Sequence, residues 1–292
     1  YYEGLDAISI TDHIENNPSK PFVEGDDNSS YEIAKDAAKD YNILLVRGGE
    51  ITRAMPPGHL NAIFLDDVNK LDTKDPVDAI MEAHRQGAFI TWNHPGWKAQ
   101  QPDTCLIFDI HKDLIINGVI KGIEVFNEKE WYPISLAWAN QYDLAITGYA
   151  DIHGVTSHYY PLDIYHRPMT LVFAKERSYE GLKNAMFEKR TVAWFSKYLA
   201  GKEDLMKELF YNSVEVVNLK EKDSKGRIMT EIINHTDFIM EFHPLEADLP
   251  SFTLQPNSSY LIRREGSTGK FSFAIRNWFI DMNQPLEVVL QN

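Results

Sequence analysis

Residues of the types that bind metal ions recur directly after apolar, strand-like runs of this sequence. Thr11-Asp12-His13 follows the run Leu5 to Ile10, and Asn93-His94-Pro95-Gly96 follows the run Ala88 to Trp92. Residues of these types also occur at the end of two further apolar runs. Together the four runs give six candidate ligands: His13, Glu50, His59, His94, Asp151 and His153. Active sites of α/β barrels are built at one end of successive strands. The sequence therefore predicts that these side chains meet at that end.

The candidate ligands offer a mixed set of nitrogen and oxygen donors. Imidazoles and carboxylates without thiolates suit zinc, manganese or iron. Six such groups exceed one tetrahedral site and fit a cluster of two or three metals that a carboxylate bridges. Such a cluster activates water and holds a phosphoryl group. A single histidine at a strand end is more often structural than a ligand, so the hypothesis depends on the joint pattern.

Composition narrows the range of partners. The chain has 292 residues and a formal net charge of −14, so its surface repels polyanions, and no basic groove for nucleic acid is visible. No apolar run reaches the roughly 18 residues of a transmembrane helix. Cys105 is the single cysteine, which excludes an intramolecular disulfide and a thiolate zinc site. The expected partner is a small substrate, and the oligomeric state is left open.

Strand-like and helical segments alternate over the first two thirds of the chain, from Tyr1 to about Tyr198. Asp75 to Gln86 and Pro133 to Gln141 read as helices between apolar strands. This alternation favours a parallel sheet or barrel. The polar stretch Asn16 to Ser30 is predicted to be a loop at the functional end.

The pattern changes near Tyr211, where apolar and polar residues begin to alternate with period two. Ser213 to Val217 and Ile228 to Ile233 flank a predicted hairpin turn at 222–226. Turn signals at roughly ten-residue intervals suggest an antiparallel sandwich. The expected division is a barrel over residues 1–198, a connecting helix over 199–210 and an all-β sandwich over 211–292.

Motifs in the first part resemble, in order, those of the PHP (polymerase and histidinol phosphatase) domain. They are Gly4 to His13, Gly49-Glu50-Ile51 with His59-Leu60-Asn61-Ala62, Asn93-His94-Pro95-Gly96, and Gly148 to His153. The resemblance covers roughly residues 1–198, and the all-β part is similar to that of bacterial PHP-family phosphodiesterases. It implies an α/β fold with a distorted (β/α)7 barrel, two or three divalent metal ions and phosphoesterase activity.

The resemblance also implies roles for single residues. Glu50 is expected to bridge the metals, and the other five candidates are expected to be ligands. Asp12 is expected to hold an imidazole or a strand-end amide. Arg53 is expected either to bind a phosphate oxygen or to be a solvated loop arginine. Three tryptophans are expected either to form an apolar substrate wall or to pack in the core: Trp92, Trp97 and Trp131.

One motif of the PHP domain has no counterpart here. The family opens with a His-x-His strand, and none precedes Tyr1. Either the sequence begins after that motif, or the protein has lost two ligands. Tyr1 to Gly4 reads like the end of a helix, which favours the first alternative. The compartment is open: the cytoplasm, or the periplasm if a signal peptide preceded Tyr1.

These observations leave three hypotheses for function. The leading one is hydrolysis of a phosphate monoester or diester by a metal-activated water. The second is a degenerate barrel that binds a ligand or partner without turnover. The third is a hydrolase of the amidohydrolase type acting on C–N bonds, against which the order and spacing of the motifs argue.

Overall fold

The computed structural model describes residues 3–15, 25–246, 249–264 and 269–291. Residues 16–24 of the predicted functional-end loop therefore lie outside the described residues. The chain divides into two compact units, Tyr1–Ala193 and Trp194–Asn292, which we call unit 1 and unit 2. No described helix is long and apolar enough to cross a membrane.

Unit 1 combines a sheet with helices. Its strands are β1 (Ala7–Ile10), β2 (Leu44–Thr52), β3 (His59–Ile63), β4 (Phe89–Trp92), β5 (Ile120–Asn127), β6 (Glu130–Trp131), β7 (Ala145–Tyr149), β8 (Met169–Val172) and β9 (Thr191–Phe195). Its helices are α1 (Ser29–Asp40), α2 (Pro76–Arg85), α3 (Asp109–Ile116), α4 (Pro133–Gln141), α5 (Thr156–Tyr159) and α6 (Tyr179–Phe187), with a 3-10 turn at Val68–Leu71.

The sheet of unit 1 mixes parallel and antiparallel strands. Its order is β1-β2-β3-β4-β5-β6, and β7 pairs with β5. β1 with β2, β4 with β5, and β5 with β7 are parallel, as the strand–helix alternation predicts. β3 is antiparallel to both β2 and β4, so the predicted parallel sheet is wrong at this strand. The connection over residues 53–58 is too short for the crossover that a parallel pair requires.

Local chemistry fixes the helices that flank this sheet. The Asp75 side chain accepts a hydrogen bond from Val77 N at 2.7 Å, and Pro76 occupies the first turn of α2. α4 begins and ends at the predicted residues. Every residue of β4 is buried, so the strand that leads to Asn93 and His94 is held within the core.

Unit 2 is mainly β-structure. Its strands are β10 (Tyr198–Gly201), β11 (Val214–Lys222), β12 (Ile228–Asn234), β13 (Met240–Pro244), β14 (Phe252–Leu254), β15 (Ser259–Arg264), β16 (Phe271–Asp281) and β17 (Gln284–Leu290). The helix α7 (Glu203–Ser213) begins inside the segment 199–210 that was predicted to be the connecting helix, and it continues to Ser213.

The strands of unit 2 form two sheets. One contains β14-β13-β16-β10 with β17 paired to β16, and the other has the order β11-β12-β15. The pairs within the second sheet are antiparallel, whereas β10 pairs with β16 in parallel. Phe252 of one sheet stacks on Tyr260 of the other, with ring centroids 4.1 Å apart. Aromatic side chains therefore join the two sheets.

Candidate metal centre

All six candidate ligands lie in unit 1, on its strands or just after them. His13 follows β1, Glu50 lies in β2, His59 opens β3, His94 follows β4, and Asp151 and His153 follow β7. A parallel bridge between His13 and Glu50 extends the β1–β2 pairing to the site. His94 (φ 27°) and Asp151 (φ 49°) have left-handed backbones. Such conformations are uncommon outside glycine and cluster at functional sites.

The Glu50 carboxylate lies at the centre of the cluster and is almost fully buried. Its Oε2 is 2.5 Å from His13 Nδ1, and its Oε1 is 3.4 Å from His59 Nδ1. Thr52 Oγ1 donates to Oε2 at 2.8 Å, and Asn93 Nδ2 donates to Oε1 at 3.1 Å. The two carboxylate oxygens therefore face different imidazoles, which is the arrangement that a bridging ligand requires.

His59 and His94 lie side by side next to Glu50. His94 Nε2 is 2.9 Å from His59 Nδ1. One ligand atom from each of Glu50, His59 and His94 lies within 4.8 Å of the other two. Ligand nitrogens and oxygens lie about 2.0–2.2 Å from zinc, so atoms at this spacing can share one ion.

His153 and Asp151 occupy the more exposed side of the site. His153 Nε2 is 3.2 Å from His13 Nε2, and the two rings stack with centroids 5.4 Å apart. Asp151 Oδ1 is 3.8 Å from His153 Nδ1. Asp151 and His153 therefore lie outside the compact group of Glu50, His59 and His94. His13 connects the two groups, because its Nδ1 faces Glu50 and its Nε2 faces His153.

Glu124 supports His94 and is not among the predicted site residues. It is fully buried in β5, and its Oε2 accepts from the backbone N of His94 at 2.5 Å and lies 3.5 Å from His94 Nδ1. Asn127 Nδ2 donates to its Oε1 at 3.0 Å. Its sequence signal was a carboxylate inside an apolar strand, because a buried charge requires a partner.

Charge pairing shifts the pKa values of the cluster. Burial alone would raise the pKa of Glu50, but hydrogen bonds from His13 and His59 outweigh it and hold that pKa well below its usual range. The hydrogen bond to Glu50 raises the pKa of His13. Burial opposes protonation of His94, and the interaction with Glu124 outweighs it and raises that pKa. Glu50 is thus a carboxylate at neutral pH.

A cavity of about 480 Å³ lies beside the cluster within unit 1. His13, Glu50, His94 and Glu124 are among its lining residues. Arg167 is the only lysine or arginine in the described lining, and its Nε is 2.8 Å from Glu3 Oε2. The volume is in the range of small-molecule sites.

Asp12 and Arg53, the other predicted site residues, have different surroundings. Asp12 lines the cavity, and its backbone oxygen accepts from Glu50 N at 3.0 Å. Arg53 Nε donates to Glu15 Oε1 at 2.7 Å, and its Nη2 donates to Thr73 O at 2.6 Å. Arg53 is not part of the described cavity lining. Its contact with a phosphate oxygen stays a prediction.

The donor set fits a divalent cation. His94 Nε2 faces the cluster, while Glu124 Oε2 lies 3.5 Å from the other ring nitrogen, Nδ1. His59 with His94, and His13 with His153, bring imidazole nitrogens within 2.9 and 3.2 Å of each other around one carboxylate. A cation among these atoms would satisfy several donors at once.

A solved structure decides the family. A two-domain protein from Bacteroides vulgatus, described as containing a predicted PHP-like metal-dependent phosphoesterase, is 38% identical to this chain with a TM-score of 0.93. The match covers 99% of this chain and 87% of that one. The chain belongs to the PHP-like metal-dependent phosphoesterases. The family predicted from the motifs is confirmed, and the similarity supports metal-dependent phosphoesterase chemistry for this PHP-like protein.

A second structure is more distant from the PHP-like chain. A Bifidobacterium adolescentis protein with a proposed assignment as a metal-dependent phosphoesterase is 16% identical, with a TM-score of 0.40 over 52% of this chain and 78% of that one. No family model and no curated protein matches the PHP-like chain.

Proposed function

We propose that this PHP-like protein hydrolyses phosphate monoesters or diesters with two or three divalent ions of zinc, manganese or iron. The observation that carries the proposal is the buried Glu50 carboxylate, whose oxygens face His13 on one side and His59 on the other. Nitrogen and oxygen donors without thiolate suit these metals. The proposed ligands are the six residues predicted from sequence: His13, Glu50, His59, His94, Asp151 and His153.

The side chains divide the work around that centre. Bound divalent metal supplies a Lewis acid that lowers the pKa of water and neutralises phosphoryl charge. Thr52 and Asn93 hold the Glu50 carboxylate in one orientation, and Glu124 holds His94. Arg167 provides a positive charge in the cavity wall that binds a phosphate oxygen. To do so, its guanidinium gives up the ion pair with Glu3. The backbone oxygen of Asp12 accepts from Glu50 N and holds the segment after β1 against β2.

The proposal includes the finer fold assignment. We infer that the barrel of residues 1–198 is the distorted (β/α)7 barrel of the family. We further infer that residues 211–292 form an all-β sandwich that contributes no ligand, with α7 in the connecting segment. The parallel pairs β1–β2, β4–β5 and β5–β7 of unit 1 support the first assignment, and the stacking of Phe252 on Tyr260 in unit 2 supports the second.

The test is hydrolysis by the full chain of p-nitrophenyl phosphate and bis(p-nitrophenyl) phosphate during titration with manganese or zinc. We expect turnover that rises with metal, disappears with EDTA and is lost in His59→Ala. The matched control is His84→Ala, which removes a histidine of α2 outside the cluster. Metal binding without turnover of either ester would favour the degenerate, ligand-binding barrel.

A further inference from the structure

Trp97 is an exposed aromatic residue at the candidate metal centre. The described residues include all six tryptophans of the chain, and Trp97 is the exposed one at 39%, whereas Trp92 is fully buried. The Trp97 indole lies 5.6 Å from the ring of His59 and 5.5 Å from the ring of His94, measured between ring centroids. An apolar surface is therefore presented to solvent directly beside two proposed ligands.

The backbone around Trp97 fixes the position of this indole. Trp97 N donates to His94 O at 2.9 Å, and Gln101 N donates to Trp97 O at 2.9 Å. Gly96 packs so closely on Tyr132 that a Cβ would come within 2.7 Å of the tyrosine ring. Trp97 thus stands on a tight turn anchored to His94 rather than on a free loop.

The surroundings of Trp97 favour a flat apolar group over a polyhydroxyl group. Recognition of a sugar requires side chains that form hydrogen bonds with its hydroxyl groups. The two glutamines that follow in the sequence, Gln100 and Gln101, already bond to backbone oxygens of this protein. Gln100 Nε2 donates to Arg53 O at 2.9 Å, and Gln101 Nε2 donates to Pro95 O at 2.7 Å. What remains available is the indole, which stacks with a planar ring.

We propose that Trp97 determines specificity by stacking on a planar aromatic group of the substrate, so that the preferred esters are aryl or nucleoside phosphates. This inference rests on the proposed phosphoesterase function. The net charge of −14 disfavours a long polyanion, which limits the substrate to a small ester. Trp97 acts on binding of the organic group, while the phosphate is held at the metal centre.

The decisive experiment measures binding without turnover. The manganese-loaded full chain is titrated by calorimetry with phenylphosphonate and with methylphosphonate. We expect the wild type to bind the phenyl compound about tenfold more tightly, which is a normal effect for a stacked ring. Trp97→Ala should abolish that preference, Trp97→Phe should keep part of it, and methylphosphonate affinity should stay unchanged in both. The control Tyr41→Ala removes an exposed aromatic residue at the end of α1, outside the candidate metal centre.

Two results would overturn the inference: equal affinity of the wild type for both phosphonates, or an equal loss of both in Trp97→Ala. The second would mean that the indole merely supports His59 and His94. Hydrolysis rates for phenyl phosphate, a nucleoside 5′-phosphate and glycerol phosphate show whether the preferred planar ring is that of an aryl ester or that of a nucleoside. Turnover without Trp97-dependent preference defeats this inference alone. Trp97-dependent phenylphosphonate binding without turnover of any ester defeats the proposed function alone.

Discussion

At the scale of single residues, the charge of Glu50 is the feature on which the centre depends. Its carboxylate is buried, accepts from Thr52 and Asn93, and stays ionised because two imidazoles outweigh the cost of burial. A neutral amide in the same place keeps the shape of the side chain and loses the charge that balances a cation.

We therefore predict that Glu50→Gln lowers hydrolysis of a phosphodiester by about 100-fold or more, as expected when a charge that organises the reacting centre is lost. The fold should survive, because the amide can still bond to its neighbours. The measurements are turnover with added manganese or zinc and a thermal melt. The control is Glu82→Gln, which neutralises a glutamate paired with Arg85 on α2. Near-wild-type turnover would show that Glu50 is no bridge.

Glu124 gives a second prediction, because it acts on His94 from inside the core. Its carboxylate accepts from His94 N and from Asn127 Nδ2. Glu124→Gln should keep an acceptor for the His94 backbone and lower metal affinity by about 10–100-fold, the usual effect of removing a partner of a metal-binding imidazole. Glu124→Ala should in addition lower the free energy of unfolding by about 1–3 kcal/mol for each donor left unpaired.

Calorimetric titration with zinc and urea unfolding measure the two effects of the Glu124 variants separately. Unchanged metal affinity in Glu124→Gln would limit the residue to a packing role. The six candidate ligands share a strand-end context, whereas Glu124 lies within an apolar strand, where the sequence signals a buried carboxylate but does not identify its partner as His94.

At the scale of elements, prediction succeeded where the signal was local. α4 has Pro133 at its first position and was predicted to the residue. β3 was missed because it has five residues, begins with the polar His59 and owes its antiparallel pairing to neighbours on both sides. α3 was missed as well, and its capping contact is formed by His111, whose Nδ1 accepts from Phe108 N.

α3 carries a prediction about pH, because His111 is buried and neutral. Its ring stacks on Trp92 at 3.9 Å, its Nε2 lies 2.7 Å from Pro57 O, and Phe108 N donates to its Nδ1. Burial lowers the pKa of His111 from 6.5 to about 4. Between these pH values the unfolded chain binds a proton that the folded chain does not. The free energy of unfolding should therefore fall as pH decreases through this window, by up to about 1.4 kcal/mol per pH unit.

Urea unfolding between pH 7 and pH 4.5, with EDTA present throughout, measures this slope. His111→Gln keeps a donor and an acceptor without a titrating group, so its stability should depend less steeply on pH than that of the wild type. His84→Gln, on the partly exposed face of α2, should keep the wild-type slope. Equal slopes in all three proteins would show that His111 takes up its proton without cost to the fold.

At the scale of the whole molecule, the sequence predicts a barrel up to residue 198 and an all-β part from residue 211, and these bounds stay a prediction. The contact pattern divides the chain after Ala193, whereas the change in periodicity is visible only near Tyr211. The reason is that β10 and α7 pack with strands far along the chain. Leu199 is opposite Trp278 in the β10–β16 register, and the ring of Phe210 is 6.0 Å from that of Trp278.

This division predicts how shortened chains behave. A fragment of residues 1–210 retains Leu199 and Phe210, both fully buried in the full chain, without their partner Trp278. Exposing such side chains costs about 1.5–3 kcal/mol each, so this fragment should aggregate or bind a hydrophobic dye more than a fragment of residues 1–197. Both should bind manganese like the full chain, because every candidate ligand lies at or before His153. A loss of metal affinity in both fragments, at equal solubility, would mean that unit 2 contributes to the centre and would refute the assignment of the site to unit 1.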